Sequence, residues 1–352
     1  MIKRTPSINT LGMMMTPQAA AKPSTETIHP LDRLSSLLGD DLAKVNDLII
    51  TRMDSHVALI PQLAAWLIAA GGKRIRPLLT LGCTRLYGYA GDRPFGLSAA
   101  VEFIHTATLL HDDVVDESVE RRGKPSANMV FGNQASVLVG DFLFCRSFQL
   151  MVADGSIDVL RILSDASATI AEGEVLQLSA ANDLSTGMEK YTAIIEAKTA
   201  ALFAAACEVG PIIAGADATA QKAMRDFGYY LGMAFQIADD VLDYSANREK
   251  LGKTVGDDFR EGKLTAPVLM ALERADAAER EFWARTMERR EQTDADLATA
   301  QSLLVKHDAL NRGLALAREY EDKARAALHT APKNAIRDAL DDVLSFAVGR
   351  DH

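Results

Sequence analysis

The chain has 352 residues, 48% of them apolar and 24% charged, with a net charge of −10. This composition suits a globular protein with a substantial core. Its acidity argues against a general nucleic-acid binder, because no basic face large enough for a row of phosphates is evident. The three cysteines, Cys83, Cys145 and Cys207, are far apart and odd in number. Neither a disulfide framework nor a zinc site fits them, so they read as small buried hydrophobes in a reducing, cytoplasmic setting.

Residues 1–30 hold four of the eleven prolines and no acidic residue before Glu26. They read as a disordered tail, with 31–352 as one helical domain. A targeting peptide, suggested by Lys3 and Arg4 among Ser and Thr, is the lesser alternative. No apolar run reaches the ~18 residues of a membrane span; the strongest, around Trp66, is broken by Pro61 and Gln62.

From Leu31 onward the chain reads as helix after helix. Proline is absent between Pro125 and Pro211 and between Pro211 and Pro267, and helix interiors exclude it by roughly 3 kcal/mol. Ile157 to Ala180 and Met188 to Val209 carry apolar residues at three- and four-residue spacing, whereas period-two alternation is hard to find. Turns are expected at Gly71-Gly72, Gly88 to Pro94, Arg122 to Pro125, Gly210-Pro211 and Gly252 to Gly262. Ala200 to Ala216 is almost continuously apolar, the mark of a central helix in a large bundle. After Asp276 the chain turns charged, and Glu288-Arg289-Arg290-Glu291 reads as a solvated outer layer. The expected class is all-α.

Two acidic motifs stand out. In Asp112-Asp113-Val114-Val115-Asp116, helical spacing projects Asp112 and Asp116 together with Asp113 beside them. Like charges at that spacing call for a cation, and clustered carboxylates are hard oxygen ligands suited to Mg²⁺. For one such motif alone, an acidic helix end facing solvent accounts for it as well. Asp239-Asp240-Val241-Leu242-Asp243 repeats the spacing after another apolar helical stretch. Basic residues accompany both motifs: Lys73, Arg74 and Arg76 beside a Gly pair, Arg121-Arg122-Gly123-Lys124, Lys198-Thr199, Lys253 and Lys263. An acidic protein that keeps its cations beside its acid clusters suggests a site where diphosphates and metal ions neutralise one another.

With GGKRIRP, both DDxxD motifs, RRGKPS, AEGEVLQL, Lys198-Thr199 and VGDDFREGK in order, the sequence resembles the trans-isoprenyl diphosphate synthases from about Leu31 to His352, and in particular the long-chain polyprenyl synthases. The resemblance implies a large helical bundle around a deep central cavity, a homodimer, and a Mg²⁺-dependent prenyltransferase without a membrane span, touching membrane only transiently to release product. Its substrates would be isopentenyl diphosphate and an allylic diphosphate primer. By resemblance, Lys73, Arg76, His105 and Arg122 hold isopentenyl diphosphate, and Asp112, Asp116 and Asp239 are metal ligands supported by Asp113, Asp240 and Asp243. Arg121, Lys198, Thr199, Gln236, Lys253 and Lys263 hold the allylic diphosphate.

Product length follows from what is small. In the family, bulky residues four and five positions before the first Asp stop elongation; here those positions are Thr108 and Ala107. A product of about eight to ten isoprene units for the ubiquinone side chain is expected by analogy, with Phe148, Leu150 or Met151 as candidate floor of the tunnel. A shorter, geranylgeranyl-type synthase is the alternative. A class I terpene cyclase fits less well, because the second motif is an intact DDxxD. A di-iron bundle needs a second Glu-x-x-His pair besides Glu102 and His105, and Glu26 and His29 fall in the tail.

Overall fold

Prolines mark where helices begin. Pro30, Pro94 and Pro267 each occupy the first turn of a helix, where a missing N–H costs nothing. The computed structural model describes residues 29–69, 71–121, 123–245 and 255–349, so the tail before residue 29, Arg122 and Lys253 lie outside the described residues.

Helices α1 (Pro30–Leu38), α2 (Asp41–Arg52), α3 (Leu59–Ala69) and α4 (Ile75–Leu86) lead into the long α5 (Arg93–Val115). A small antiparallel hairpin, β1 (Glu120–Arg121) with β2 (Lys124–Pro125), follows and turns at Gly123 (φ +75°). Next come α6 (Ala127–Phe131), α7 (Asn133–Asp154) and α8 (Ile157–Ala180). Helix α9 (Met188–Ile195) passes through a π-helical turn, Glu196–Ala200, into α10 (Ala201–Ile213), and α11 (Ala218–Asp243) follows. The later described helices are α12 (Asp257–Glu261), α13 (Ala266–Leu272), α14 (Ala277–Trp283), α15 (Asp296–Lys306), α16 (Ala309–Leu328) and α17 (Ala335–Val348). The fold is an all-α bundle, and the hairpin is an addition to the all-helical expectation.

Two apolar cores share α11. Its first half (Met224, Phe227, Leu231) packs with residues of α4, α5, α7 and α10, and its second half (Met233, Ile237, Ala238) packs with α13, Trp283 and α15. Small residues bring helix backbones into direct contact. A Cβ on Gly228 would lie 2.4 Å from the Phe203 carbonyl oxygen, and one on Gly232 would lie 2.7 Å from Ala200 Cα, so α11 rests on α10. A Cβ on Gly173 of α8 would lie 2.5 Å from the Ala197 side chain in the π-helical turn.

Gly210-Pro211 is not a turn. Pro211 lies inside α10, and Gly210 is small because a Cβ there would lie 2.7 Å from the Thr84 amide nitrogen of α4. The glycine serves helix–helix approach, which a local reading takes for a break.

Helix α7 runs antiparallel along α5: Gly140 faces His111, whereas Gly96 faces Leu150. Among the described residues it is the one helix long and apolar enough to cross a membrane, with 44% of its most apolar window buried, which differs from the expectation that no such run exists. Its charges, Asp141, Arg146 and the terminal Asp154, leave the stretch before its end largely apolar. Its outer face exposes Val137, Leu138, Phe148 and Val152. Cys145 is on that exposed side, while Cys83 and Cys207 are buried as expected.

The α10–α11 contact leaves no room for a side chain at Gly228. Gly228→Ala is expected to lower stability by about 1–3 kcal/mol through overpacking, as measured by urea unfolding. Unchanged stability would mean the two helices separate without cost.

Candidate active site

The first acidic motif closes α5 beside a cavity of about 1410 Å³. Asp112 and Asp116, one turn apart, line it, as do Asp239 and Asp240 at the end of α11. The two motifs therefore face one space from different helices. Asp113 turns the other way and is buried. Its Oδ1 accepts from Arg121 Nε (2.8 Å), and its carbonyl accepts from the Asn128 side-chain amide (3.0 Å). It anchors the hairpin and holds Arg121 at the cavity wall, where Arg121 is a lining residue.

The second motif is similarly divided. Asp240 accepts from the Tyr191 hydroxyl (2.6 Å) and from Gln236 Nε2 (2.8 Å), and Gln236 Oε1 accepts from Thr199 (2.9 Å). That relay fixes Thr199 and Gln236, both cavity-lining, relative to α11. Asp243 is buried and accepts from the Asp258 amide (3.0 Å), tying α11 to the segment that carries Lys263.

Cations reach the acids from separate elements. Lys198, in the π-helical turn, lies 2.7 Å from Glu174 and 3.9 Å from Asp112. π-bulges are frequent at functional sites because they re-aim one residue. Lys263 Nζ lies 3.0 Å from Asp116 and 2.5 Å from Glu261, so it spans the two halves of the site. Lys73 and Arg76 line the same cavity, and each rests on an aromatic face: Lys73 Nζ is 4.7 Å from the Phe346 ring centre, and Arg76 Cζ is 4.4 Å from that of Phe203. Such contacts help hold a cation in place. His105 also lines the cavity, whereas Glu102 ion-pairs with Arg74 of the α4 cap.

Burial raises the acids against these cations. Desolvation pushes Asp112 up to about 7, opposed by Lys198 and assisted by Glu174 and Asp116. Asp240 is likewise pushed up to about 7 by burial, despite the hydrogen bonds from Tyr191 and Gln236. Asp258 is raised by burial and by Asp240 and Asp243. Burial pulls Lys263 down, but Asp116 and Glu261 outweigh it and hold its pKa above the ordinary lysine value. Negative charge is in excess here, and carboxylate oxygens are the donors a hard divalent cation takes. Among the described residues, no three acidic, His or Cys side chains gather tightly enough to cage an ion alone. The donor set suits Mg²⁺, which binds through one or two carboxylates, water and substrate phosphates.

Of the length-determining candidates, Thr108 lines the cavity and Ala107 is fully buried on α5. Leu150 and Met151 are buried too, but Phe148 is 43% exposed on the outer face of α7, apart from them. Phe103 lines a smaller adjoining cavity of about 60 Å³ with Trp66 and Leu109, and His105, Leu109 and Arg121 line both cavities. Arg122 and Lys253 lie outside the described residues.

Several cavity-lining residues are not among the site residues expected from sequence, Glu174, Tyr191, Asp258 and Arg290 among them. Tyr191 had a signal, since it precedes Lys198 by two helical turns on one face. Glu174 and Asp258 sit inside motifs that were noticed but carried no role. Arg290 had no local signal; its charge run is exposed, as expected of a solvated layer, but Arg290 itself also lines the cavity. Its guanidinium donates to the carbonyls of Arg260 and Glu261, both at 2.7 Å.

The family described as Polyprenyl synthetase matches residues 57–304. Octaprenyl diphosphate synthase of Escherichia coli (strain K12) is 44% identical over 321 residues, covering 91% of this chain and 99% of that protein. The crystal structure of a decaprenyl diphosphate synthase from Rhodobacter capsulatus superposes with a TM-score of 0.89 at 53% identity, covering 92% and 100% of the two chains. A polyprenyl synthase from Caulobacter crescentus CB15, complexed with calcium and isoprenyl diphosphate, superposes with a TM-score of 0.88 at 55% identity, covering 92% and 98%.

The raised Asp112 carries a sign that can be measured without substrate. Its folded pKa lies above its unfolded one, so the cost of ionising it is absent below about 3.8 and grows as pH rises to about 7. In metal-free protein, Asp112→Asn is expected to be about 2 kcal/mol more stable than the parent at pH 8 and no more stable at pH 4. Urea unfolding in a chelator at both pH values checks it, and an equal gain at pH 4 would remove desolvation as the cause.

Proposed function

We propose that this chain, which belongs to the polyprenyl synthetase family, joins isopentenyl units repeatedly to an allylic diphosphate to make a long all-trans polyprenyl diphosphate. The observation that carries this reading is one cavity in which Asp112, Asp116 and Asp239 face each other, with Lys198 and Lys263 reaching in from different elements. A homologous synthase complexed with calcium and isoprenyl diphosphate supports a divalent-ion and diphosphate chemistry for such a site. Mg²⁺ held by Asp112, Asp116 and Asp239 would lend Lewis-acid neutralisation of the departing diphosphate.

The chain's own groups do the rest. Lys198, Lys263 and Arg121 hold the allylic diphosphate and stabilise the charge it gains as its C–O bond breaks. Lys73 and Arg76, fixed on their aromatic platforms, hold isopentenyl diphosphate so that its double bond captures the allylic cation, with His105 beside them. The proton lost afterwards goes to the departing diphosphate, and no covalent enzyme intermediate is needed. The lengthening chain runs down α5 past Thr108 and Ala107, where burial of each CH₂ gains about 0.8 kcal/mol. We assign a product of about eight to ten isoprene units, serving the ubiquinone side chain by analogy with relatives. We place the enzyme in the cytoplasm, with transient bilayer contact to release so apolar a product. A homodimer is part of the same reading, because the exposed apolar side chains on α7 need a covering surface and a second copy supplies one.

Incubation with labelled isopentenyl diphosphate, a farnesyl primer and Mg²⁺, then chromatography of the dephosphorylated product, tests the reaction and its length. Ala107→Tyr is expected to give a folded, active enzyme whose products stop after a few additions. Full-length product from that variant would move the tunnel elsewhere. Leu138→Glu with Val152→Glu is expected to halve the mass measured by light scattering. An unchanged mass would place any interface on another face.

A further inference from the structure

The five-residue helix α12 stands between the two acid motifs and could not hold itself together. So short a helix closes little of its own ladder, and its terminal carbonyls need partners from outside. Its N-terminal side is tied to α11, where the Gly256 amide donates to the Asp243 carbonyl (2.8 Å) and the Asp258 amide to the Asp243 carboxylate (3.0 Å). Its C-terminal side is held by one segment of the outer charged layer. Gln292 Nε2 donates to the Phe259 carbonyl (2.8 Å), and Arg290 donates to the next two, those of Arg260 and Glu261 (both 2.7 Å). Three successive carbonyls are thus capped by two side chains about thirty residues away in sequence.

That segment is itself braced. Gln292 Nε2 also donates to the Thr286 carbonyl (2.9 Å), and Arg285 donates to the Glu291 carbonyl (2.5 Å) and to both carboxylate oxygens of Asp296 (3.0 and 2.6 Å). Arg290 adopts a left-handed backbone (φ +59°) to reach α12, a conformation that costs a non-glycine residue and persists when its surroundings impose it. Gly262 closes the fit, since a Cβ there would lie 2.9 Å from Arg290 Cδ and 2.8 Å from Asn182 Oδ1.

We propose that Arg290 and Gln292 are positioning residues that clamp α12 and so hold Asp258 and Lys263 at the diphosphate end of the cavity. The inference rests on the prenyl-transfer reading for its kinetic consequence and on the hydrogen bonds alone for its structural one. Gln292 does not line the cavity, so any effect it has on substrate is indirect, through α12 or through the segment that carries Arg290. Arg290 acts by geometry: its two parallel donors span adjacent carbonyls, which a lysine ammonium does not reproduce.

Hydrogen exchange and steady-state kinetics on the full chain test this together. Gln292→Met is expected to speed amide exchange across residues 257–263 by about tenfold, leaving α4 and α5 protected as before. The KM for a farnesyl diphosphate primer should rise about tenfold while that for isopentenyl diphosphate stays within about twofold. Arg290→Lys should behave like Arg290→Met. Unchanged exchange at 257–263, equal rises in both KM values, or full recovery in Arg290→Lys would each overturn the clamp. Absence of prenyl transfer in the parent chain would sink the functional reading instead, and the exchange experiment would still decide the clamp.

Discussion

Carboxylates that must lie close together out of bulk water set the terms for this protein. Burial drives Asp112 and Asp240 up to about 7, and each added neighbour of like charge raises the cost. Three cations around the cavity offset part of that cost. Lys198 sits in a π-helical turn that aims it at Asp112, Lys263 crosses the cavity to Asp116, and Arg121 is drawn in by the buried Asp113. The neutralisation among protein groups is incomplete, and under the proposed function bound divalent cations would offset the remaining negative charge.

Holding opposed acids at a usable separation requires rigid helices in fixed register. The small residues do this. Gly228 and Gly232 seat α11 on α10, and Gly173 seats α8 on the turn that carries Lys198. Backbone contact of this kind leaves little freedom to slide, because interiors are close-packed and a shift of one residue meets a side chain. Asp239, Lys198 and Glu174 therefore share a frame although they come from three helices.

The acids of each motif divide their labour by direction. Asp112, Asp116 and Asp239 face the cavity, whereas Asp113 and Asp243 face away and secure the hairpin and the α12 segment. The buried Tyr191 hydroxyl is pushed well up by burial and then by Asp240, so it stays a donor and keeps Asp240 in place. Lys73 and Arg76 lie against the aromatic faces of Phe346 and Phe203, which orient them at the cavity wall.

The sequence by itself determined the class of the fold, both acid motifs and most of the cations. Helical periodicity and DDxxD spacing are local properties, set by 3.6 residues per turn wherever the chain goes next. It misjudged Gly210-Pro211, since a glycine kept small for contact with α4 reads locally as a turn. It took Cys145 for a buried residue and missed that the exposed Arg290 has partners in α12, because burial and partnership depend on which helices meet. Among the acids, spacing grouped Asp112, Asp113 and Asp116 alike. Only the tertiary structure decided that Asp113 turns inward to Arg121, that Phe148 lies on the outer face of α7, and that Arg290 caps α12. Those outcomes depend on pairings between residues far apart in the chain, which no local pattern encodes.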